Sequence, residues 1–143
     1  MGAKSEGLST DLLAAYLNTE FRVMEPRQFT LRIGIPSSEV KAVYLALGYS
    51  SAAFLTAWNP LSQKATDQQN EAAQAALIDK LVRNKYLVWT GIGVDPTGDW
   101  PGEESVFVPG IDLDTAKSFG SEFSQNAIVW MDVDGVPQLI LLQ

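Results

Sequence analysis

The chain contains no cysteine and no histidine. Thiol nucleophiles, disulfides, zinc sites built on those residues and imidazole acid–base catalysis are therefore excluded. The Ser-His-Asp triad is excluded with them. Any chemistry would come from carboxylates, lysine, tyrosine, serine or threonine, or from a hard cation held by oxygen. Long apolar runs are also missing, and none approaches the length of a membrane span. Basic charge is scarce: 10 Lys and Arg stand against 17 Asp and Glu, for a formal net charge of -7. The basic residues are scattered, so no general affinity for nucleic acid or for anionic membranes is expected. Residues 1–8 carry few apolar side chains and no signal-like segment. They are expected to be a flexible N-terminal tail on a cytoplasmic protein.

What is present suits a soluble globular protein, with 46% hydrophobic and 19% charged residues. The length fits one domain, expected over residues 9–143. The stretch Ala53-Phe54-Leu55-Thr56-Ala57-Trp58-Asn59-Pro60 organises it. Phe54, Thr56 and Trp58 fall on one face of a strand, and Ala53, Leu55 and Ala57 on the other. Neither face is charged, so the strand is expected to be central and covered on both sides. Pro60 cannot donate a ladder hydrogen bond, which predicts an end near Asn59.

Around it the pattern alternates. Ser9 or Thr10 caps a helix with Leu12, Leu13, Tyr16 and Leu17 on one stripe. Phe21–Met24 is a short extended piece, and Phe29, Leu31 and Ile33 point inward from a strand. Ser37 caps a helix with Val40, Val43, Tyr44 and Leu47 inward, and Gly48 stops it. Thr66 and Gln69 match a capping box opening a helix to about Asn84, with Ala73, Leu77 and Leu81 on its apolar face. Asn70 lies on that same face. Tyr86–Val94 reads as a strand, and residues 95–102 as turn chemistry. Glu103-Glu104-Ser105 leads into a strand at Val106–Val108. Asp112 caps a helix with Ala116, Phe119 and Phe123 inward. Gly120 weakens that helix by about 1 kcal/mol relative to alanine, which suggests a close packing contact. Ala127–Val133 and Val136–Leu142 form a hairpin, with Asp134-Gly135 as a two-residue turn. The order α-β-α-β-α-β-β-α-β-β predicts an α+β fold: a mixed or antiparallel sheet with helices packed on it and a C-terminal β-hairpin.

Several motifs occur in one order: the 53–60 stretch, Asn70, Gly98-Asp99-Trp100, Glu103-Glu104-Ser105 and Gln125-Asn126-Ala127-Ile128. In these the chain resembles a bacterial family of uncharacterised proteins, domain of unknown function 3293, over roughly residues 50–142. The resemblance implies a small bacterial protein and supplies no mechanism.

The polar motifs fall at strand ends and helix starts. If they converge, Asn59, Asn70, Glu104, Ser105 and Gln125 form a pocket with Trp58 or Trp100 as an apolar wall. Such a pocket suits a small polar ligand. Neighbouring residues on a strand point to opposite faces, so only one of Glu103 and Glu104 can face the pocket; Glu104 is taken as the inward one. The residues point first to a noncatalytic module for a small polar ligand or a protein partner. An enzyme using Glu104 as acid or base, and an acidic surface that docks on a protein, are the alternatives. No catalytic set, cofactor or metal site is assigned. Asp95, Asp99, Glu103 and Glu104 could offer oxygen ligands, but their spacing does not match an EF-hand loop. Trp89 and Trp130 are expected in the core and Trp100 partly exposed. An open strand edge leaves a homodimer possible.

Overall fold

The computed structural model describes residues 9–142. The tail expected over residues 1–8 lies outside them. In chain order the elements are α1 (Thr10–Asn18), β1 (Glu20–Glu25), β2 (Phe29–Leu31), α2 (Ser38–Leu47), β3 (Ala52–Leu55), α3 (Asp67–Arg83), β4 (Trp89–Val94), β5 (Glu103–Pro109), α4 (Leu113–Glu122), β6 (Ala127–Met131) and β7 (Pro137–Leu141). A 3-10 turn spans Pro60–Ser62. The strands form one curled sheet in the order β2-β1-β4-β5-β3-β6-β7. Every pairing in it is antiparallel. The fold is α+β, as the patterning implies, and the sheet is antiparallel rather than mixed. It has one strand more than expected, because the extended piece after α1 pairs with β2 on one side and β4 on the other.

β3 lies between β5 and β6, and all four of its residues are buried. Directly opposed residues in a ladder share a face. Ala52 and Phe54 therefore share one face with Phe21, Phe107 and Val129, where α2 packs through Val40, Val43 and Tyr44. Ala53 and Leu55 face the other way, onto Leu77 and Leu81 of α3 and Ala116 and Phe119 of α4. Each large side chain so buried stabilises the fold by about 1.5–3 kcal/mol. Lys80 of α3 pairs with Glu122 of α4 across that second layer.

β3 ends at Leu55, earlier than Asn59. The physical reason is that the next backbone groups bond side chains instead of a ladder. The Thr56 hydroxyl donates to the Glu104 carbonyl at 2.6 Å and accepts from Trp58 N at 3.1 Å. Ala57 N donates to Gln74 Oε1 at 2.9 Å. β4 likewise starts late, at Trp89. Tyr86 N is bound to the Leu81 carbonyl at 3.1 Å, so that segment finishes α3 rather than joining the sheet.

The expected two-residue turn at Asp134-Gly135 is replaced by a longer connection over residues 132–136. Gly135 N closes a turn onto Asp132 O at 3.0 Å, while Gly135 O accepts from Ser37 N at 3.0 Å. Docking on the start of α2 thus sets the length of this loop. The caps follow the sequence. Ser37 accepts from Val40 N, Gly48 takes φ 78°, and both halves of the Thr66–Gln69 capping box form. A Cβ on Gly120 would lie 2.6 Å from side-chain carbons of Ile128 and Leu142, which is the close contact its presence suggests. Leu47 departs from its expected stripe and is 40% exposed. Among the described residues, no helix is long and apolar enough to cross a membrane.

Candidate functional site

The sheet face that carries Phe54 is not filled along its whole length. α2 covers one end. At the other, between the sheet and α1, lies a cavity of about 370 Å³. That volume is within the range of small-molecule sites. Phe21, Gly93, Glu103, Ser105, Phe54 and Val129 contribute from the sheet. Their shared face follows from the register, in which Phe21 opposes Gly93, Gly93 opposes Glu103, Gly91 opposes Ser105 and Phe54 opposes Val129. Leu12, Ala15 and Tyr16 of α1 form the opposite wall, and Trp58 and Trp100 line it from the loops after β3 and β4.

Gly93 matters to this space. A Cβ there would have nothing nearer than Thr19 Cγ2, at 3.9 Å. Gly91 differs, since its Cβ would meet Phe54 Cε2 at 2.8 Å and Arg22 O at 2.9 Å. Glycine at 91 permits close packing, whereas glycine at 93 leaves open volume beside Glu103.

The loop after β3 is fixed by two asparagines. Asn59 N donates to Asn70 Oδ1 at 2.8 Å, and Asn70 Nδ2 donates to Asn59 Oδ1 at 3.0 Å. Ala65 N also donates to Asn59 Oδ1, at 3.0 Å. Asn59 sits at φ 47°, a left-handed conformation that asparagine tolerates better than most residues. Leu61 and Ser62 follow at φ 56° and 61°. Such backbone persists only where its surroundings hold it. Here Leu61 N donates to Ser124 O at 2.6 Å, and Asn126 Nδ2 donates to Ser62 Oγ at 2.8 Å.

From this fixed position Asn59 Nδ2 donates to Glu103 Oε2 at 2.7 Å. Burial raises the Glu103 carboxyl above the ordinary glutamate range, and the Asn59 bond opposes that rise. Tyr16 hydroxyl lies 3.4 Å from Ser62 Oγ. Burial raises the Tyr16 phenol pKa as well, making it a weaker acid; the Ser62 hydroxyl opposes this and the Glu103 charge adds to it. Glu103 and Tyr16 are thus an acid and a phenol sharing one partly dry space, with Lys64 and Asp67 as the other charged residues lining it.

The sequence candidates divide as follows. Asn59, Asn70, Ser105 and Gln125 line the cavity, and Glu104 does not. The expected orientation of the acid pair is reversed. Glu104 opposes Ile92 and is exposed, while Glu103 opposes Gly93 and turns in. Asn70 is 2% exposed, and both ends of its amide are engaged with Asn59. Ser105 donates to Glu103 O at 3.0 Å. Gln125 Nε2 donates to Trp58 O at 3.2 Å and Phe123 O at 3.3 Å. These four support the shape of the cavity more than they offer free groups to it. Trp58 Nε1 and Gln74 Nε2 are buried donors without a partner among the described residues.

Asp95 accepts from Thr97 N and Asp99 N, both at 2.9 Å, and so closes its own loop. Among the described residues no three acidic side chains cluster as a metal site would require. Trp100 is half-buried. Trp89 and Trp130 are half-buried against the two core layers, with Trp130 Nε1 donating to Ile111 O at 3.1 Å. Besides Glu103, Tyr16 and Gly93 are site residues that sequence reasoning missed. Their signals were a hydroxyl-bearing ring on an apolar helix stripe and the Gly91-Ile92-Gly93 spacing within a strand.

A family described as protein of unknown function, DUF3293, matches residues 55–128, just over half of the 143-residue chain. The match runs from the end of β3 to the start of β6 and so takes in Asn59, Asn70, Gly93, Glu103 and Gln125. No curated protein and no solved structure matches the chain.

Proposed function

The chain belongs to DUF3293, a family of proteins of unknown function, and from the cavity we propose that it is a noncatalytic module binding one small, partly apolar molecule beneath α1. The reading rests on one observation: a carboxylate, Glu103, is held by Asn59 inside a cavity walled by Trp58, Trp100 and Phe54. Apolar walls with few fixed polar groups are the usual make-up of a small-molecule site. Asn59, Asn70 and Gln125 act as the frame, and Glu103 with Tyr16 supplies the polar contacts.

An acid–base enzyme is the second reading. It moves from Glu104 to Glu103, because burial raises the carboxyl that faces the cavity. Asn59, Asn70, Ser105 and Gln125 are engaged in holding the shape of the cavity, which favours the binding reading.

Gly93→Leu tests it. The side chain would grow into open space from a strand position whose φ is not left-handed. A ligand at about a hundred times its Kd stabilises its host by about 2.7 kcal/mol, which is several degrees in Tm. A small-molecule thermal-shift screen should find compounds that stabilise the parent protein and lose that effect on Gly93→Leu, whose own Tm stays close to the parent's. Stabilisation that persists in the variant, or a screen without hits, would count against the cavity.

A further inference from the structure

We propose that the guest of this cavity is an organic cation, an amine with an aromatic or branched apolar body whose ammonium group meets Glu103; this deepens the binding reading and rests on it. The argument begins with a contrast between two acids. Glu20 is paired with both Arg22 and Arg32. Glu103 lines the cavity, yet among the described residues no Lys or Arg forms an ion pair with it. Its only hydrogen bond there comes from the Asn59 amide, to Oε2. A carboxylate removed from water without a counter-charge is costly, and proteins normally pair it. Here the site leaves that position to the guest.

The walls agree. Trp58, Trp100, Tyr16, Phe21 and Phe54 all line the space. Aromatic faces attract cations, and more strongly where water is excluded. Among the described residues, the charged ones lining the cavity are Glu103, Asp67 and Lys64, a balance of one negative charge. An anionic guest would meet a single lysine and two acids. A neutral guest would gain the apolar contacts and leave the carboxylate as it was.

Three probes of matched body separate these cases: 2-phenylethylamine, 2-phenylethanol and phenylacetate. Binding to the full chain is followed by amide chemical shifts and by tryptophan emission, with salt held constant because the acidic protein attracts any cation weakly. A charge-assisted contact is expected to make the amine bind roughly tenfold or more tightly than the alcohol. Phenylacetate should bind weakest. In Glu103→Gln, which keeps an oxygen acceptor for Asn59, the amine should lose its advantage over the alcohol. Equal affinity of amine and alcohol for the parent overturns the proposal and does so without any variant. An amine preference that survives in Glu103→Gln, or amine binding that Gly93→Leu leaves intact, overturns it too by placing the cation elsewhere. In those cases alcohol binding that Gly93→Leu abolishes would leave the cavity reading standing. No response to any probe at millimolar concentration sinks both.

Discussion

Glu103 carries opposite demands from folding and from the proposed cation contact. Its folded-state carboxyl is raised by burial. The native state therefore holds a proton more tightly than the unfolded chain does. That contribution to stability is complete below the unfolded glutamate value and is lost as pH rises through the folded one. Tyr16, Asn59, Lys64 and Asp67 are among the polar and charged groups that share its surroundings. Glu103→Gln mimics the protonated form. It should match the parent in urea unfolding at acid pH and exceed it at neutral pH, with the gap opening through that window. A constant gap across pH would remove the argument. Asn70 behaves differently. Its loss to alanine strands Asn59 N and removes a donor from Asn59 Oδ1. A cost of about 2–3 kcal/mol in unfolding free energy is expected. Asn70 was legible as a polar residue on an apolar stripe needing a partner, and the partner is the turn at Asn59. Which of the two adjacent acids turned inward was not legible. Both faces of β5 are buried, from Ser105 to Pro109. The alternation that normally reveals parity is absent there, and a strand read one residue out of step inverts every side chain.

Among the helices, α1 is the weakest. It runs only from Thr10 to Asn18, is capped by Ser9, and has no buried residue. Helices this short are marginal in water without tertiary packing. Its half-buried residues Leu12, Ala15 and Tyr16 rest on the cavity rather than on a filled core. Its amides should therefore exchange with solvent orders of magnitude faster than the central turns of α3, where Leu77 and Leu81 are buried. A bound guest should slow α1 selectively; uniform protection across both helices would argue that α1 is no part of the site. The start of each helix was readable from local chemistry, because a cap is settled by a side chain and a backbone N–H three positions away. The ends of β3 and β4 were not readable. They depend on Glu104, Gln74 and Leu81, groups distant in sequence or committed to another element.

At the scale of the whole molecule, the α+β class and a central β3 could be read from patterning, since both follow from which residues must avoid water. The strand order could not. β3 pairs with β5 and β6, both far along the chain, and nothing local encodes such long-range partners. Convergence of Asn59, Asn70 and Gln125 on one rim is a product of that order. The sheet also treats its two sides unequally: α3 and α4 pack on one, while among the described residues the other is packed under α2 and left hollow under α1. Fitness demands on the two sides can therefore drift apart. On the binding proposal, substitutions beneath α3 and α4 would tune heat tolerance with little effect on the guest, and changes at open positions under α1, such as Gly93, would retune selectivity with little effect on the scaffold.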